Sequence, residues 1–364
     1  MAILPVSDQM RAGLKHLVEL ESPSGDVAGI TRVVDYIAAA LSGVGAVQRL
    51  DTAAGPLLEV SRGVGGALIL GHADTVWPLG TIEEMPFVDK GDWVYGPGTL
   101  DMKGGLILAM QALLDLPGDT PFTFLVTPDE EVGSEASRAI IEDRARRARL
   151  VLVLESGMPG GAIKIGRAGV GDFHLTITGI ESHAGLAPDQ GASAIRELAH
   201  QILWLDALAN PTAGTTVNVG VVQGGSRSNV VAGRVYADID IRVTTQSERD
   251  RLTQALSVPA QFDDRCRVQY LGEFNRPPME PTPASQAWVA RASQRWQAIT
   301  GEPLQGGYVG GASDGNFTAV LAPTLDGLGP IGQGAHARHE GVEWRFMVPR
   351  LQLISDLIVE AGKD

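Results

Sequence analysis

Cysteine is nearly absent from this chain of 364 residues, which carries only Cys266. A single cysteine excludes an internal disulfide framework and any thiolate metal cluster built within one chain. Cys266 stands at the start of a strand-like segment, where this residue type is more often a buried bystander than a nucleophile. The cysteine content agrees with a reducing compartment.

Long apolar runs are also lacking. No stretch approaches the roughly 18 consecutive apolar residues that a membrane-spanning helix requires. The opening MAILPVSDQM has neither the basic start nor the apolar core of a signal peptide. We therefore expect a cytoplasmic protein that has no membrane partner.

Positive charge is scarce, with 29 Lys and Arg against 43 Asp and Glu and a formal net charge of -14. Nucleic acids bind clustered cations, so nucleic acid is not an expected partner. One basic run is interpreted as a solvated helix face, namely Arg144, Arg146, Arg147 and Arg149.

Apolar residues are plentiful, at 44% of the chain. A chain of this length exceeds the size at which one core usually stops growing, so we expect two domains. The first 168 residues alternate helical and strand-like patterns, which is typical of an α/β sheet. Strands are predicted at 67–70, 122–126 and 150–154, and helices at 10–20, 27–41 and 106–116.

The pattern changes near Val170. Strands are predicted at 172–178, 216–222, 234–243 and 267–271, and helices at 193–208 and 248–256. This order is β-α-β-β-α-β, a ferredoxin-like arrangement. Further helices are predicted at 284–300 and 349–361, where the chain rejoins the first domain. We predict a discontinuous α/β domain of residues 1–168 and 278–364, with a mixed sheet and helices on both faces, and an inserted domain of residues 169–277.

Acidic and imidazole side chains follow the predicted strands of the first domain or lie in turn-rich segments. They are His72 and Asp74 in GHADTVWPLG, Asp101 in YGPGTLDMKGG, Glu130 and Glu131 in TPDEEVGS, Glu155 in LESG and His336 in GAHARHEGVEW. Singly, Asp74 is explained by a turn and the glutamate pair by a helix N-terminus. Together they indicate a ligand site at the carboxyl ends of the strands. Oxygen and imidazole ligands suit zinc, manganese or cobalt.

The segments HADT, GPGTLDMKGG, DEEVGS, LESG, SHAG and the C-terminal histidine resemble, in this order, the M20 family of dinuclear zinc hydrolases. The most similar branch is that of the glutamate carboxypeptidases (carboxypeptidase G2-like). The resemblance implies two divalent metal ions per chain, with zinc preferred and cobalt or manganese as alternatives. Asp101 would bridge both ions, His72 and Glu155 would complete one site, and Glu131 and His336 the other.

The resemblance also implies roles beside the metal ligands. Glu130 would be the general base, and Asp74 would hydrogen-bond the ring nitrogen of His72 that faces away from the metal. His339 competes locally with His336, but the family pattern of a histidine, three residues and a glutamate selects His336 and Glu340. A cis peptide bond is expected after Asp101, and Met102 stands where the family often has a second aspartate.

The inserted domain would be a dimerisation or lid domain. In the family, the histidine that matches His183 steadies the oxyanion in a partner subunit, which implies a homodimer; the alternative is an ordinary loop residue. A substrate carboxylate would contact Asn229, Arg242 and Arg276. Arg242 could instead pair with an acid in its strand, and Arg276 could be a surface cation. The glycine-rich segment 310–317 would line the site.

The resemblance implies hydrolysis of an amide bond to a C-terminal amino acid, with glutamate as first choice, in a small peptide or N-acyl amino acid. One alternative is a deacylase of the acetylornithine or succinyl-diaminopimelate type. Another is a catalytically inactive binding protein on the same fold. Glu130 argues against the inactive protein. A chain that had lost its activity would have no need to retain a general base beside a full set of metal ligands.

Overall fold

The computed structural model describes residues 5–363, so the ends of the predicted first domain at residues 1–4 and 364 lie outside the described residues. The chain divides into two compact units. The first comprises residues 5–166, Pro281–Val309 and residues 313–363, and the second comprises Arg167–Glu280 and Gly310–Ala312. The roles predicted for the two domains stay predictions.

The regular elements are numbered in chain order. The helices are α1 (Val6–Glu19), α2 (Val27–Ala40), α3 (Thr81–Glu84), α4 (Gly104–Leu114), α5 (Arg138–Ala145), α6 (Ala194–Leu208), α7 (Gln246–Ser257), α8 (Pro283–Thr300), α9 (Gly315–Ala319) and α10 (Met347–Ala361). The strands are β1 (Ala46–Thr52), β2 (Gly55–Arg62), β3 (Ala67–His72), β4 (Val88–Asp89), β5 (Trp93–Tyr95), β6 (Phe122–Thr127), β7 (Leu150–Val153), β8 (Ile163–Arg167), β9 (Gly169–Thr178), β10 (Thr216–Gly224), β11 (Arg234–Val243), β12 (Arg267–Arg276), β13 (Gly306–Val309), β14 (Thr324–Leu325), β15 (Gly332–Gln333) and β16 (Gly341–Glu343).

A six-stranded sheet in the order β1-β2-β6-β3-β7-β14 forms the centre of the first unit. β3 runs parallel to both β6 and β7, whereas β2 pairs antiparallel with β1 and β6. Every residue of β3 and β7 is buried, as expected for central strands covered on both faces. The predicted mixed sheet is therefore confirmed.

Helices cover both faces of this sheet. Alternate residues of a strand point to opposite faces. Accordingly, Ile69 belongs to the core formed with α1, α2, α4, α8 and α10. Its neighbours Leu68 and Leu70 belong to a second core, which includes Ile141 of α5 and Phe317 of α9. The fold class is confirmed in this respect as well.

A small antiparallel sheet, β15-β16-β5-β4, carries the segment that contains His336. β15 and β16 pair through Gly332 with Val342 and Gln333 with Gly341. The loop between these strands spans residues 334–340 and holds His336, His339 and Glu340.

The second unit contains an antiparallel sheet in the order β10-β11-β9-β12. With α6 and α7, the chain order is β-α-β-β-α-β, as predicted. Buried and accessible residues alternate along β11, and the buried set, which includes Ile239 and Ile241, packs with the helices in one core. Cys266 is 3% exposed in the same core, which confirms its assignment as a buried residue next to a strand.

The interpretation of the basic run as one solvated helix face is wrong. α5 ends at Ala145, so Arg146, Arg147 and Arg149 lie beyond it. Arg144 lies within the helix, but it is partly buried and its Nε donates to Glu59 at 2.7 Å.

Across residues 5–363, the structure has no helix with the length and apolar character needed to cross a membrane. The cytoplasmic location stays a prediction.

Candidate metal centre

Three parallel strands bring candidate ligands to one edge of the large sheet. His72 is the last residue of β3, Glu131 lies in the turn after β6, and Glu155 follows β7 after one residue. Because β3 lies between β6 and β7, the carboxyl ends of the three strands meet there. Asp101 reaches the same place from the turn before α4, and His336 from the loop between β15 and β16.

The carboxylate of Asp101 lies between two imidazole rings. Its Oδ1 is 3.4 Å from Nε2 of His72, and its Oδ2 is 3.3 Å from Nε2 of His336. Each ring faces a second carboxylate. His72 Nε2 lies 3.6 Å from Oε1 of Glu155, and His336 Nε2 lies 3.3 Å from Oε2 of Glu131. The structure thus brings all five predicted ligands together.

Several of these atoms are buried without a conventional partner. His72 Nε2, Asp101 Oδ1 and Glu131 Oε1 have no hydrogen bond among the described residues. Their separations instead match a cation site, because ligand atoms around a tetrahedral zinc with bonds of about 2.0–2.1 Å lie roughly 3.3 Å from one another. The donor set therefore fits a site for divalent metal.

The electrostatics of the cluster favour bound positive charge. Burial disfavours a charged ring at His72, yet the nearby carboxylates of Asp101, Asp74 and Glu155 raise its pKa well above the usual value. The carboxylates of Asp101 and Glu131 raise the pKa of His336 to about 10. Burial is the largest influence on Glu131 and raises the pKa of its carboxyl. Protons or divalent cations can supply the charge that such a cluster attracts.

Asp74 supports both His72 and the turn after β6. The Nδ1–H of His72 donates to the backbone carbonyl of Asp74 at 2.9 Å, which directs Nε2 towards the cluster. The Asp74 carboxylate lies 3.3 Å from the same Nδ1 and accepts from the amides of Glu130 and Glu131 at 3.1 and 3.2 Å. Ser24, which the sequence analysis did not single out, donates to it at 2.7 Å.

Glu130 lies at the rim of the cluster. One of its carboxylate oxygens is within 4.8 Å of ligand atoms of His72 and Glu155. Ligand atoms of His72, Asp101 and Glu131 likewise lie within 4.8 Å of one another. Distance alone therefore makes Glu130 eligible either as a ligand or as a neighbouring base.

The two histidines of HARH differ in their surroundings. His336 has a φ of 59°, a left-handed conformation that costs a non-glycine residue about 1 kcal/mol or more. With the backbone in this conformation, the ring of His336 lies close to Asp101 and Glu131. Both histidines are exposed on this loop, so the contacts of the ring and not burial distinguish them. The geometry supports the choice of His336.

Residues around Asp101 show two further features. The peptide bond between Asp101 and Met102 is cis, as expected. Glu340, four residues after His336, is fully buried, and its carboxylate accepts hydrogen bonds from the turn that carries Asp101. Sequence reasoning did not find this role, because it depends on the direction of backbone amides.

The remaining predicted site residues lie in the second unit. His183 is exposed, and its Nδ1 accepts from the amides of Gly185 and Leu186, both at 3.1 Å. Its neighbour Ala184 donates to the carbonyl of Asn229 at 2.9 Å, so His183 and Asn229 lie on adjacent segments.

The two candidate arginines lie at the same register position of the second sheet, on either side of β9. Arg242 and Arg276 both pair in register with Val170 of β9. Arg242 forms a bidentate contact with Asp240 at 2.8 and 2.7 Å. This is the alternative predicted for Arg242, namely pairing with an acid in its own strand. Arg276 is only 5% exposed, so it is not a surface cation.

Comparison with known proteins places this geometry in a family. Residues 68–360 match Peptidase family M20/M25/M40. The chain is 28% identical to carboxypeptidase G2 from Pseudomonas sp. (strain RS-16), over 96% of this chain and 88% of that protein. It is 30% identical to acetylornithine deacetylase from Proteus mirabilis (strain HI4320), over 83% and 81%. Aminopeptidase PepT from Bacillus cereus has the same fold, with a TM-score of 0.78 at 20% identity over 98% and 99% of the two chains.

Fold, cluster and relatives together define a metal-dependent peptidase or amidohydrolase. The family match spans well over half of the chain. The chain belongs to peptidase family M20/M25/M40, as the resemblance predicted.

Proposed function

We propose that this chain is a dinuclear zinc-dependent hydrolase that cleaves the amide bond to a C-terminal amino acid, with glutamate as the first candidate. The observation that carries the proposal is the position of Asp101, whose two oxygens face His72 and His336 separately. Two cations held side by side require a shared anion, and this carboxylate has the corresponding geometry.

The ligand roles follow from these contacts. His72 and Glu155 would hold one ion, Glu131 and His336 the other, and Asp101 both. Two such ions supply Lewis-acid polarisation of the scissile carbonyl and stabilise negative charge in the transition state.

Glu130 acts as the general base in this proposal. It takes a proton from the attacking water and delivers it to the leaving nitrogen, a role that a carboxylate at the rim of the cluster can fill. Asp74 holds the turn in place through the amides of Glu130 and Glu131. The same carboxylate faces His72, so base and ligand are positioned by one group.

His183 serves as an oxyanion donor delivered to a partner subunit, which makes the active form a homodimer. Two backbone amides donate to Nδ1 of its ring, so the neutral ring carries its proton on Nε2. An exposed imidazole with a fixed Nε2–H is a suitable donor to a developing oxyanion.

The substrate carboxylate is assigned to Arg276 and Asn229, with Arg242 in support. Arg242 is already neutralised by Asp240, which weakens its claim to bind a free carboxylate. Deacylation of an N-acyl amino acid remains the second candidate, favoured by 30% identity to an acetylornithine deacetylase.

Release of glutamate from N-acyl and peptidyl glutamates, compared with deacetylation of N-acetylornithine, tests the substrate proposal. The zinc-loaded protein should release glutamate at the higher kcat/KM and lose both activities in chelator. Preferential deacetylation of N-acetylornithine would replace the glutamate proposal by the deacylase. Turnover that chelator does not affect would overturn the metal mechanism itself.

A further inference from the structure

Glu340 is a fully buried carboxylate that accepts four hydrogen bonds. Its Oε2 accepts from the indole Nε1 of Trp77 at 2.8 Å and from the amide of Gly98 at 2.9 Å. Its Oε1 accepts from the amides of Leu100 and Asp101 at 2.8 and 3.0 Å. Burial raises the pKa of the Glu340 carboxyl, and these four hydrogen bonds offset part of the cost of burying its charge.

The donors come from the segments that carry proposed metal ligands. Trp77 lies in the loop that follows His72, and the three amides belong to the turn that contains Asp101. Glu340 itself is four residues after His336, in the loop between β15 and β16. One carboxylate therefore connects three ligand-bearing segments that are far apart in the chain.

The turn is shaped to receive this carboxylate. Gly98 has a φ of 72°, a left-handed conformation that glycine adopts without steric cost. The amides of residues 98, 100 and 101 then converge on Glu340. Successive amides that point into one concavity form an anion-binding nest, here filled by a side chain of the same protein.

We propose that Glu340 is a positioning residue that fixes Asp101 relative to His72 and His336 and thereby sets the affinity of the centre for its metal ions. The inference rests on the metal site of the proposed function and is independent of the substrate. Glu340 acts on the ions only through the ligands that it holds, because its own oxygens are occupied by backbone and indole donors.

The variant Glu340→Gln tests the inference with little change of volume. Either orientation of the amide places its NH2 group against two N–H donors, so one pair of hydrogen bonds is replaced by repulsion. The turn must then shift, and Asp101 shifts with it. We expect zinc affinity, measured by competition with a chromophoric chelator, to fall about 10- to 100-fold, as is typical when a group that orients a metal ligand is removed.

Two further variants sharpen this measurement. Glu343→Gln is the matched control, because Glu343 lies on the neighbouring strand β16 and pairs with the exposed Arg345. It should bind zinc like the wild type. Trp77→Phe removes one donor and keeps a ring, so its zinc affinity should fall between those of the wild type and Glu340→Gln.

The outcomes separate positioning from general stability. A merely structural role would lower the melting temperature of the metal-free protein and leave the zinc affinity of the folded fraction unchanged, which would overturn the inference. If Glu340→Gln does not fold, wild-type affinity in Trp77→Phe would overturn it, and reduced affinity would support it. A wild-type protein that binds no metal would remove the proposed function and this inference together, whereas unchanged affinity in both variants removes only the inference.

Discussion

Nε2 of His336 lies 3.3 Å from Oδ2 of Asp101, while the other oxygen of this carboxylate lies 3.4 Å from Nε2 of His72. His72 is buried and Asp101 is largely buried, and burying a carboxylate against imidazole groups is costly if stability alone is considered. The arrangement is explained when both rings and the shared anion face cations.

Glu130→Gln should strongly reduce turnover and leave the metal content intact. The amide cannot accept a proton from water, and general base catalysis typically contributes about 10²- to 10⁴-fold. We expect kcat to fall by that factor, with two metal ions per chain retained by elemental analysis.

Glu135→Gln is the control for this change, since Glu135 is an exposed residue of the same loop. Its kcat should match that of the wild type. Loss of a metal ion in Glu130→Gln would instead identify Glu130 as a ligand, a role for which its distance from His72 and Glu155 also qualifies it.

His336→Ala and His339→Ala should differ in metal stoichiometry. Of these two histidines, His336 is the one whose ring the structure places 3.3 Å from both Asp101 and Glu131. We expect His336→Ala to retain one tightly bound ion per chain and His339→Ala to retain two. Two tightly held ions in His336→Ala would refute its assignment as a ligand.

Mixing two inactive chains tests the role of His183. Glu130→Gln lacks the base but keeps His183, and His183→Ala has the reverse defect. If the histidine serves the partner subunit, subunit exchange should restore about one quarter of the wild-type rate, because half of the dimers are mixed and each has one complete site. A mixture that stays inactive while sedimentation shows a monomer would exclude this role.

The three parallel strands β3, β6 and β7 were predictable because burial on both faces leaves continuous apolar runs, whereas β2, which is also buried inside the sheet, was not predicted. β3, β6 and β7 lie where the runs at 67–70, 122–126 and 150–154 indicated. β1 was not predicted, since AVQRLDT has mostly exposed residues and no apolar run. Strands at a sheet edge lack the signal that burial gives to central ones.

The proposed ligands were identifiable from local motifs, but their supports were not. The position of His72 at a strand end follows from HADT, whereas the contacts of Glu340 with Gly98 and Leu100 require a turn whose amides converge. The contact between Arg242 and Asp240 was predictable, because residues two apart in a strand such as β11 lie on the same face. Contacts that depend on backbone direction cannot be derived from residue types alone.

Arg350 offers a test of stability away from the proposed metal ligands. It is fully buried, burial lowers its pKa to about 9, and its Nε and Nη1 have no hydrogen bond among the described residues. Its guanidinium carbon lies 4.9 Å from the centroid of the Trp296 ring. Arg350→Met keeps most of this packing and removes a costly charge, so we expect unchanged or higher stability, by about 1 kcal/mol.

Arg350→Ala is the comparison, because it leaves a cavity and should cost about 2–4 kcal/mol. Thermal melting of the two variants distinguishes the effects. A similar loss in Arg350→Met would show that the hydrogen bond from Nη2 to the carbonyl of Gly161, at 2.6 Å, outweighs desolvation.

Metal reconstitution tests the central claim most directly. The purified protein is stripped with chelator and titrated with zinc while amide hydrolysis and bound metal are measured on the same samples. Hydrolysis should vanish in the stripped protein and be restored in full at two equivalents of zinc per chain. Full activity in the stripped protein, or saturation at one equivalent, would contradict a dinuclear centre built on Asp101.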